Sequence, residues 1–351
     1  MNNSLKWLDE SVKIINSKFT QKAQEHQNNL TKPPGSLGEL ENIAIKFSAW
    51  QESDRPNLEK IQIYIFAADH GIARENVSAF PQAVTAEMVR NFAASGAAIA
   101  VLAKFSAIPL KVLNMGTVSA IEALPSVEDC RLGAGTESFL TAQAMNSEQL
   151  TAALEKGKQQ AELAKNQNIQ LIIAGEMGIA NTTSAAAIAA ALFNLSAADI
   201  AGKGTGLDQQ GLLHKIQIID KALEFHQNSE ASTLNILQTF GGFEIAAMTG
   251  CYVRAAQLGI PILVDGFIST VAAALAIKIN PKVQQWMLFA HRSAEQGHQL
   301  LLELIQAEPL MSLNLRLGEG SAAALVVPIL RSACAIHNQM ATFEQAKVSK
   351  A

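Results

Sequence analysis

Five short runs of this sequence are apolar almost from end to end: IQIYIFAADHG (61–71), LKVLNMG (110–116), IQLIIAGEMG (169–178), PILVDGF (261–267) and QWMLFAHRS (285–293). A strand with one wet face alternates in polarity, so continuous apolarity marks strands buried on both faces of a parallel sheet. Each run ends in glycine or polar turn residues. Between them lie helical patterns, including 83–104, 147–166, 209–227 and 241–258. Strand and helix in alternation predict a Rossmann-like α/β fold, an open parallel sheet with helices on both faces. The ends read differently. Residues 1–55 are mostly helical around the break TKPPGSLG, and 320–341 form an Ala-rich helix. The expected organisation is an α/β domain over 56–315, with 1–55 and 316–351 packed together beside it as a small helical domain.

Composition sets limits on function. Of 351 residues, 49% are hydrophobic and 17% charged, enough for a large core and too little charge for global disorder. Aromatics are 5% and Ala runs are frequent, which favours closely packed helices with small side chains. The formal net charge of −4 argues against a general nucleic-acid or membrane-surface binder. Cys130, Cys251 and Cys334 form no CxxC pair, so neither a zinc site nor a disulfide framework is expected. Together with a polar N-terminus and no apolar stretch long enough to span a bilayer, this fits a soluble protein of the reducing cytoplasm.

In open parallel sheets, ligands bind beyond the carboxyl ends of the strands. Those ends carry Asp69-His70-Gly71, Glu176-Met177-Gly178, Asp265-Gly266 and His291-Arg292-Ser293. GEMGIANTTSAAAIAAAL (175–192) runs from a strand through glycines into an alanine helix that starts near Asn181 and Thr182. Free N–H groups at such a start suit a phosphate, although a plain Thr N-cap gives the same pattern. GKGTGLD (202–208) is a second glycine turn, with Gly204 and Gly206, followed by a helix bearing Lys215. Lys215 there is either a phosphate-side cation or a solvated surface residue. In LRLGEGSAAAL (315–325), Glu319 sits between two glycines at a helix start. It reads as a capping carboxylate or as a general base facing a cleft. The helix start is expected to depress its pKa. The seven histidines show no metal-ligand spacing and no GxSxG or GxGxxG exists, so no metal and no cofactor are expected.

Eight segments in order resemble the nicotinate-nucleotide–dimethylbenzimidazole phosphoribosyltransferase family. They are KPPGSLGELE (32–41), ADHG (68–71), VTAEMV (84–89), GEMGIANTT (175–183), GGFEIAAMTG (241–250), PILVDGF (261–267), SAEQGH (293–298) and LRLGEGSAAAL (315–325). The resemblance implies transfer of ribose 5-phosphate from nicotinate mononucleotide to 5,6-dimethylbenzimidazole, in assembly of the cobalamin nucleotide loop. It also implies a homodimer. Carried over by motif, Glu319 is the catalytic base. Glu176, Gly178, Asn181, Thr182, Gly204, Gly206, Lys215 and Ser293 face the phosphoribosyl group. Ser78, Phe80, Gln82, Met88 and Leu317 belong to the base pocket. The chain departs from some relatives at Phe80, Met88, Asn114 and Ser138, which bears on the preferred base. A different acceptor base, or a non-catalytic nucleotide-binding subunit, stands as the alternative.

Overall fold

The protein is described by a computed structural model over residues 3–226 and 232–349. Seven strands form one all-parallel sheet: β1 Ile61–Ala68, β2 Leu110–Gly116, β3 Val127–Asp129, β4 Leu171–Met177, β5 Ile262–Val264, β6 Met287–His291 and β7 Pro309–Met311. Their order is β3-β2-β1-β4-β5-β6-β7. The strand order reverses between β1 and β4, the switch point where such sheets open a crevice. The five apolar runs are β1, β2, β4, β5 and β6. Sequence reading missed β3 and β7, which are three residues each and only partly buried. Edge strands lack the unbroken apolarity that two covered faces impose.

The helices are α1 Ser17–Asn29, α2 Glu39–Gln51, α3 Ala83–Ala93, α4 Ala98–Phe105, α5 Ser147–Asn166, α6 Asn181–Phe193 and α7 Ala197–Ile200. They continue with α8 Gln209–His226, α9 Thr233–Phe240, α10 Phe243–Leu258, α11 Phe267–Ile279, α12 His298–Leu304, α13 Ser321–Gln339 and α14 Phe343–Ala346. The helix expected over 83–104 is two, because Ser95 takes φ 63° and breaks the ladder between α3 and α4. The last residue of the pattern at 209–227 lies outside the described residues. Two stretches, Ala83–Phe105 and Ser321–Gln339, are long and apolar enough to cross a bilayer by composition, a test that core helices also pass. The first of them contains that break.

The abundance of small residues serves close helix packing. A Cβ on Gly157 of α5 would lie 1.8 Å from the Ala247 carbonyl oxygen of α10. Backbones this close exclude water and gain dispersion over their whole length. The two ends of the chain meet. Leu30 bridges Thr342, the Thr31 N–H donates to the Ala341 carbonyl at 3.0 Å, and Gln27 Nε2 lies 2.9 Å from His337 Nδ1. α13 packs on α2 and α4 and carries its N-terminus to the carboxyl edge of the sheet.

Candidate active site

A cavity of about 470 Å³ opens over the carboxyl ends of β4, β5 and β6. Its floor is Glu176 and Met177 at the end of β4 with Gly178 just beyond, Asp265 and Gly266 after β5, and His291 at the end of β6 with Ser293 just beyond. Phe80, Val84 and Met88 around the start of α3, with Leu317 opposite, give it an apolar wall. Asn181, Thr182, Gly204 and Thr205 close another side. The cluster at the end of β1 stands behind this floor: His70 is buried, with Nε2 2.6 Å from Glu244 Oε1, and a Cβ on Gly178 would be 3.3 Å from its ring.

Glu319 reaches the cavity through an unusual turn. Gly318, Glu319 and Gly320 have φ of 86°, 64° and 79°, three successive left-handed residues. Glycine takes that region freely, but a long side chain does so at a cost of about 1 kcal/mol or more. Such strain persists only where neighbours hold it. The Glu319 N–H points at Glu176 Oε1 at 3.4 Å, and Asp265 accepts from the N–H groups of Gly320 at 3.1 Å and Ala323 at 2.8 Å. Gly175 of β4 lets the turn sit down, since a Cβ there would lie 2.4 Å from the Glu319 carbonyl oxygen. Asp265 therefore caps α13, and the carboxylate of Glu319 is left without a capping role.

The electrostatics follow from burial. Glu319 is 7% exposed, its Oε2 has no hydrogen-bond partner, and burial with Asp265 nearby pushes its pKa up to about 7. The depressed value expected from the helix start is overturned. The N–H groups that would have held the charge are taken by Asp265, and the side chain sits in low dielectric. Burial, helped by the Glu244 and Asp265 charges, raises Glu176 to about 8. Asp265 rises to about 6 by burial, held back by the backbone N–H groups of Ala323 and Gly320. Three carboxyl groups thus titrate near neutrality around one cavity, a concentration characteristic of functional sites.

Thr182 does not cap α6. The N-cap position is Ala180, with no side-chain cap, and Thr182 Oγ1 instead accepts from Lys215 Nζ at 2.9 Å. Lys215 is not a solvated residue: it is fully buried, also donates to the Gly202 carbonyl at 3.1 Å, and burial lowers its pKa to about 8. It stands one layer behind the cavity wall. Among the residues expected at the phosphoribosyl side, Glu176, Gly178, Asn181, Thr182, Gly204 and Ser293 line the cavity, whereas Gly206 and Lys215 do not. Of the base-pocket group, Phe80, Met88 and Leu317 line it. Ser78 and Gln82 lie outside the lining. Ser78 Oγ is 3.0 Å from Thr205 Oγ1, and Gln82 Nε2 donates to the His70 carbonyl at 2.7 Å, so both brace the loop that carries Phe80.

Val84 and Thr205 fall within the segments 78–88 and 202–208 that sequence reading placed at the site, but it gave no role to His291, Glu295 or Arg316, which also line the cavity. His291 lay in a strand-end cluster and was the one most within reach.

The comparisons with known proteins agree with this geometry. A family signature described as a phosphoribosyltransferase matches residues 12–348. Nicotinate-nucleotide–dimethylbenzimidazole phosphoribosyltransferases from Pseudomonas putida and Pseudomonas aeruginosa are 50% and 49% identical, covering 98% and 99% of this chain and 97% and 99% of theirs. The crystal structure of the Thermus thermophilus protein of that name superposes with a TM-score of 0.90 at 36% identity, over 96% of this chain and 100% of its own. On the fold, the cavity and these relatives together, the chain belongs to the nicotinate-nucleotide–dimethylbenzimidazole phosphoribosyltransferase family.

Proposed function

We propose that this enzyme transfers ribose 5-phosphate from nicotinate mononucleotide to 5,6-dimethylbenzimidazole, giving α-ribazole 5′-phosphate and nicotinate, with Glu319 as the base. The observation that carries this is Glu319 itself: a buried carboxylate with a free oxygen and a pKa near 7, on a strained turn over the cavity. A base poised near the working pH is the most effective one. As the C1′–N bond breaks, its electron pair neutralises the pyridinium nitrogen and nicotinate departs. Carboxylate charge near C1′ stabilises the oxocarbenium character there. A benzimidazole nitrogen attacks the opposite face, which inverts β to α. The other ring N–H becomes acidic, and Glu319 takes that proton.

The phosphate is assigned to the start of α6, where Gly178, Asn181, Thr182, Gly204 and Ser293 line the wall. Lys215 acts there through Thr182, and Gly206 shapes the turn. Phe80, Val84, Met88 and Leu317 offer an apolar slot for a flat aromatic base, held by Ser78 and Gln82. The resemblance to the family further supports a homodimer working in the cytoplasm, with 1–55 and 316–351 as a helical lobe on the 56–315 domain.

Purified protein incubated with nicotinate mononucleotide and dimethylbenzimidazole is expected to release nicotinate and form the α-anomer, read by chromatography and proton NMR. Absence of nicotinate release with any base from a panel, while the nucleotide still binds, overturns the enzyme assignment. Phe80→Ser is expected to lower kcat/KM for dimethylbenzimidazole by about 10-fold, the scale of a lost apolar contact, while an unmethylated base suffers less. Equal losses for both bases contradict the slot.

A further inference from the structure

Residues four apart on a helix share a face, and on α3 Val84 and Met88 both line the cavity. Thr85, next to Val84, is fully buried and is not part of the lining. Its hydroxyl reaches across to the turn after β4 and accepts the Ile179 N–H at 3.1 Å. That turn is held by close packing and by conformation. A Cβ on Gly178 would lie 2.3 Å from the Ala68 carbonyl oxygen, and Ala180 takes φ 74° as the N-cap of α6 with no side chain capping it. Asn181 and Thr182 follow at once and line the cavity. One hydrogen bond thus joins the helix that walls the apolar slot to the turn from which the phosphoribosyl side is built.

A second link between the same two sides crosses the cavity mouth. Thr205 Oγ1 accepts from the Ala79 N–H at 3.0 Å and meets Ser78 Oγ at 3.0 Å. These groups are exposed, and water competes for them. The link through Thr85 is sealed from water, where a hydrogen bond is stronger and an N–H left without an acceptor costs on the order of 1–3 kcal/mol. Of the two, the buried link is the one built to hold α3 at a fixed distance from the Gly178–Ala180 turn.

We propose that Thr85 is a positioning residue of the transfer: through the Ile179 N–H it sets the spacing between a base bound against Val84 and Met88 and a ribose held beside Gly178 and Asn181. The identity of the two ligands rests on the proposed function. Attack at C1′ needs the ring nitrogen about 3–3.5 Å away and aligned, and a misplacement of about 1 Å costs on the order of 10²-fold in rate. Thr85 lies outside the cavity lining, so its loss is read in the rate and not in the binding of either substrate alone.

The test compares the wild type with Thr85→Val, which keeps the shape and removes the acceptor, and with Thr85→Ser, which keeps the acceptor. Single-turnover nicotinate release, with protein in excess of nicotinate mononucleotide and dimethylbenzimidazole saturating, is measured beside calorimetric affinities for each substrate alone. Thr85→Val is expected to react roughly 10–100-fold more slowly, with both affinities within about 3-fold of the wild type. Thr85→Ser is expected to recover the rate to within about 3-fold, which a merely space-filling role would not require. Thr85→Cys, whose sulfur is a weak acceptor, replaces the valine variant should that one not fold. An unchanged rate without the acceptor, a loss carried wholly by weaker binding, or a serine variant no faster than the valine one overturns the positioning role. A wild type that releases no nicotinate with any base overturns the transferase reading itself, and the positioning role with it.

Discussion

Glu176 illustrates how little of a site's chemistry belongs to a residue alone. It is a strand-end carboxylate, but burial and the charges of Glu244 and Asp265 lift its pKa from 4.5 to about 8. A carboxyl group whose folded pKa is raised contributes stability that is whole below pH 4.5 and is lost as pH rises through about 8. Glu176→Gln, which cannot ionise, is therefore expected to equal the wild type near pH 4.5 and to exceed it near pH 9 by about 1–4 kcal/mol. Denaturant midpoints of the two proteins across that range check this, and a difference independent of pH contradicts it. At this scale the sequence named Glu176 and Glu319 from their strand-end and glycine-flanked settings. It misjudged Glu319's pKa because the decisive partner, Asp265, is 54 residues away along the chain and takes the N–H groups of α13. His291 shows the same blind spot: that its Nδ1 is buried without a partner is a fact of the folded neighbourhood.

Elements were legible in proportion to how fully their surroundings constrain them. β1, β2, β4, β5 and β6 are covered on both faces, and their apolar runs announce them. β3 and β7 sit at the edges, where three partly buried residues leave no pattern. The division of 83–104 into α3 and α4 hangs on Ser95 in a left-handed turn, which periodicity does not reveal. Between elements, the alanine and glycine content has a testable meaning. A methyl on Gly157 would meet the Ala247 carbonyl at 1.8 Å and the Cys251 nitrogen at 2.7 Å, both backbone atoms that cannot swing aside. Gly157→Ala is expected to force α5 from α10 and cost about 1–3 kcal/mol or more despite the better helix propensity of alanine. A thermal midpoint equal to that of the wild type contradicts this reading of the helix contact.

Across the whole molecule, the site depends on the two ends of the chain being held together. α13 follows directly on the Glu319 turn and packs against α2, whose entry is fixed by a buried ion pair: Lys32 Nζ and Glu41 Oε1 are 2.8 Å apart, and Glu41 also accepts from the Gly35 and Leu37 N–H groups. Removing one member strands the other charge. Lys32→Ala is expected to destabilise the protein by about 3–5 kcal/mol, far beyond an exposed pair, with Glu41→Gln comparable and the double change less than their sum. Strict additivity in that cycle contradicts the coupling. The motif KPPGSLGELE was visible in the sequence through resemblance, but its purpose, a rigid turn at the start of α2, became clear only with the fold.

The central claim is that Glu319 takes the acceptor's proton. It is tested most directly by nicotinate release from nicotinate mononucleotide and dimethylbenzimidazole, measured from pH 5 to 9 for the wild type and Glu319→Gln. The wild-type kcat/KM is predicted to rise through about pH 7 as Glu319 ionises. The variant is predicted to be slower by roughly 10²-fold or more and to lose that limb. A variant that keeps both the rate and the pH profile of the wild type would contradict the assignment.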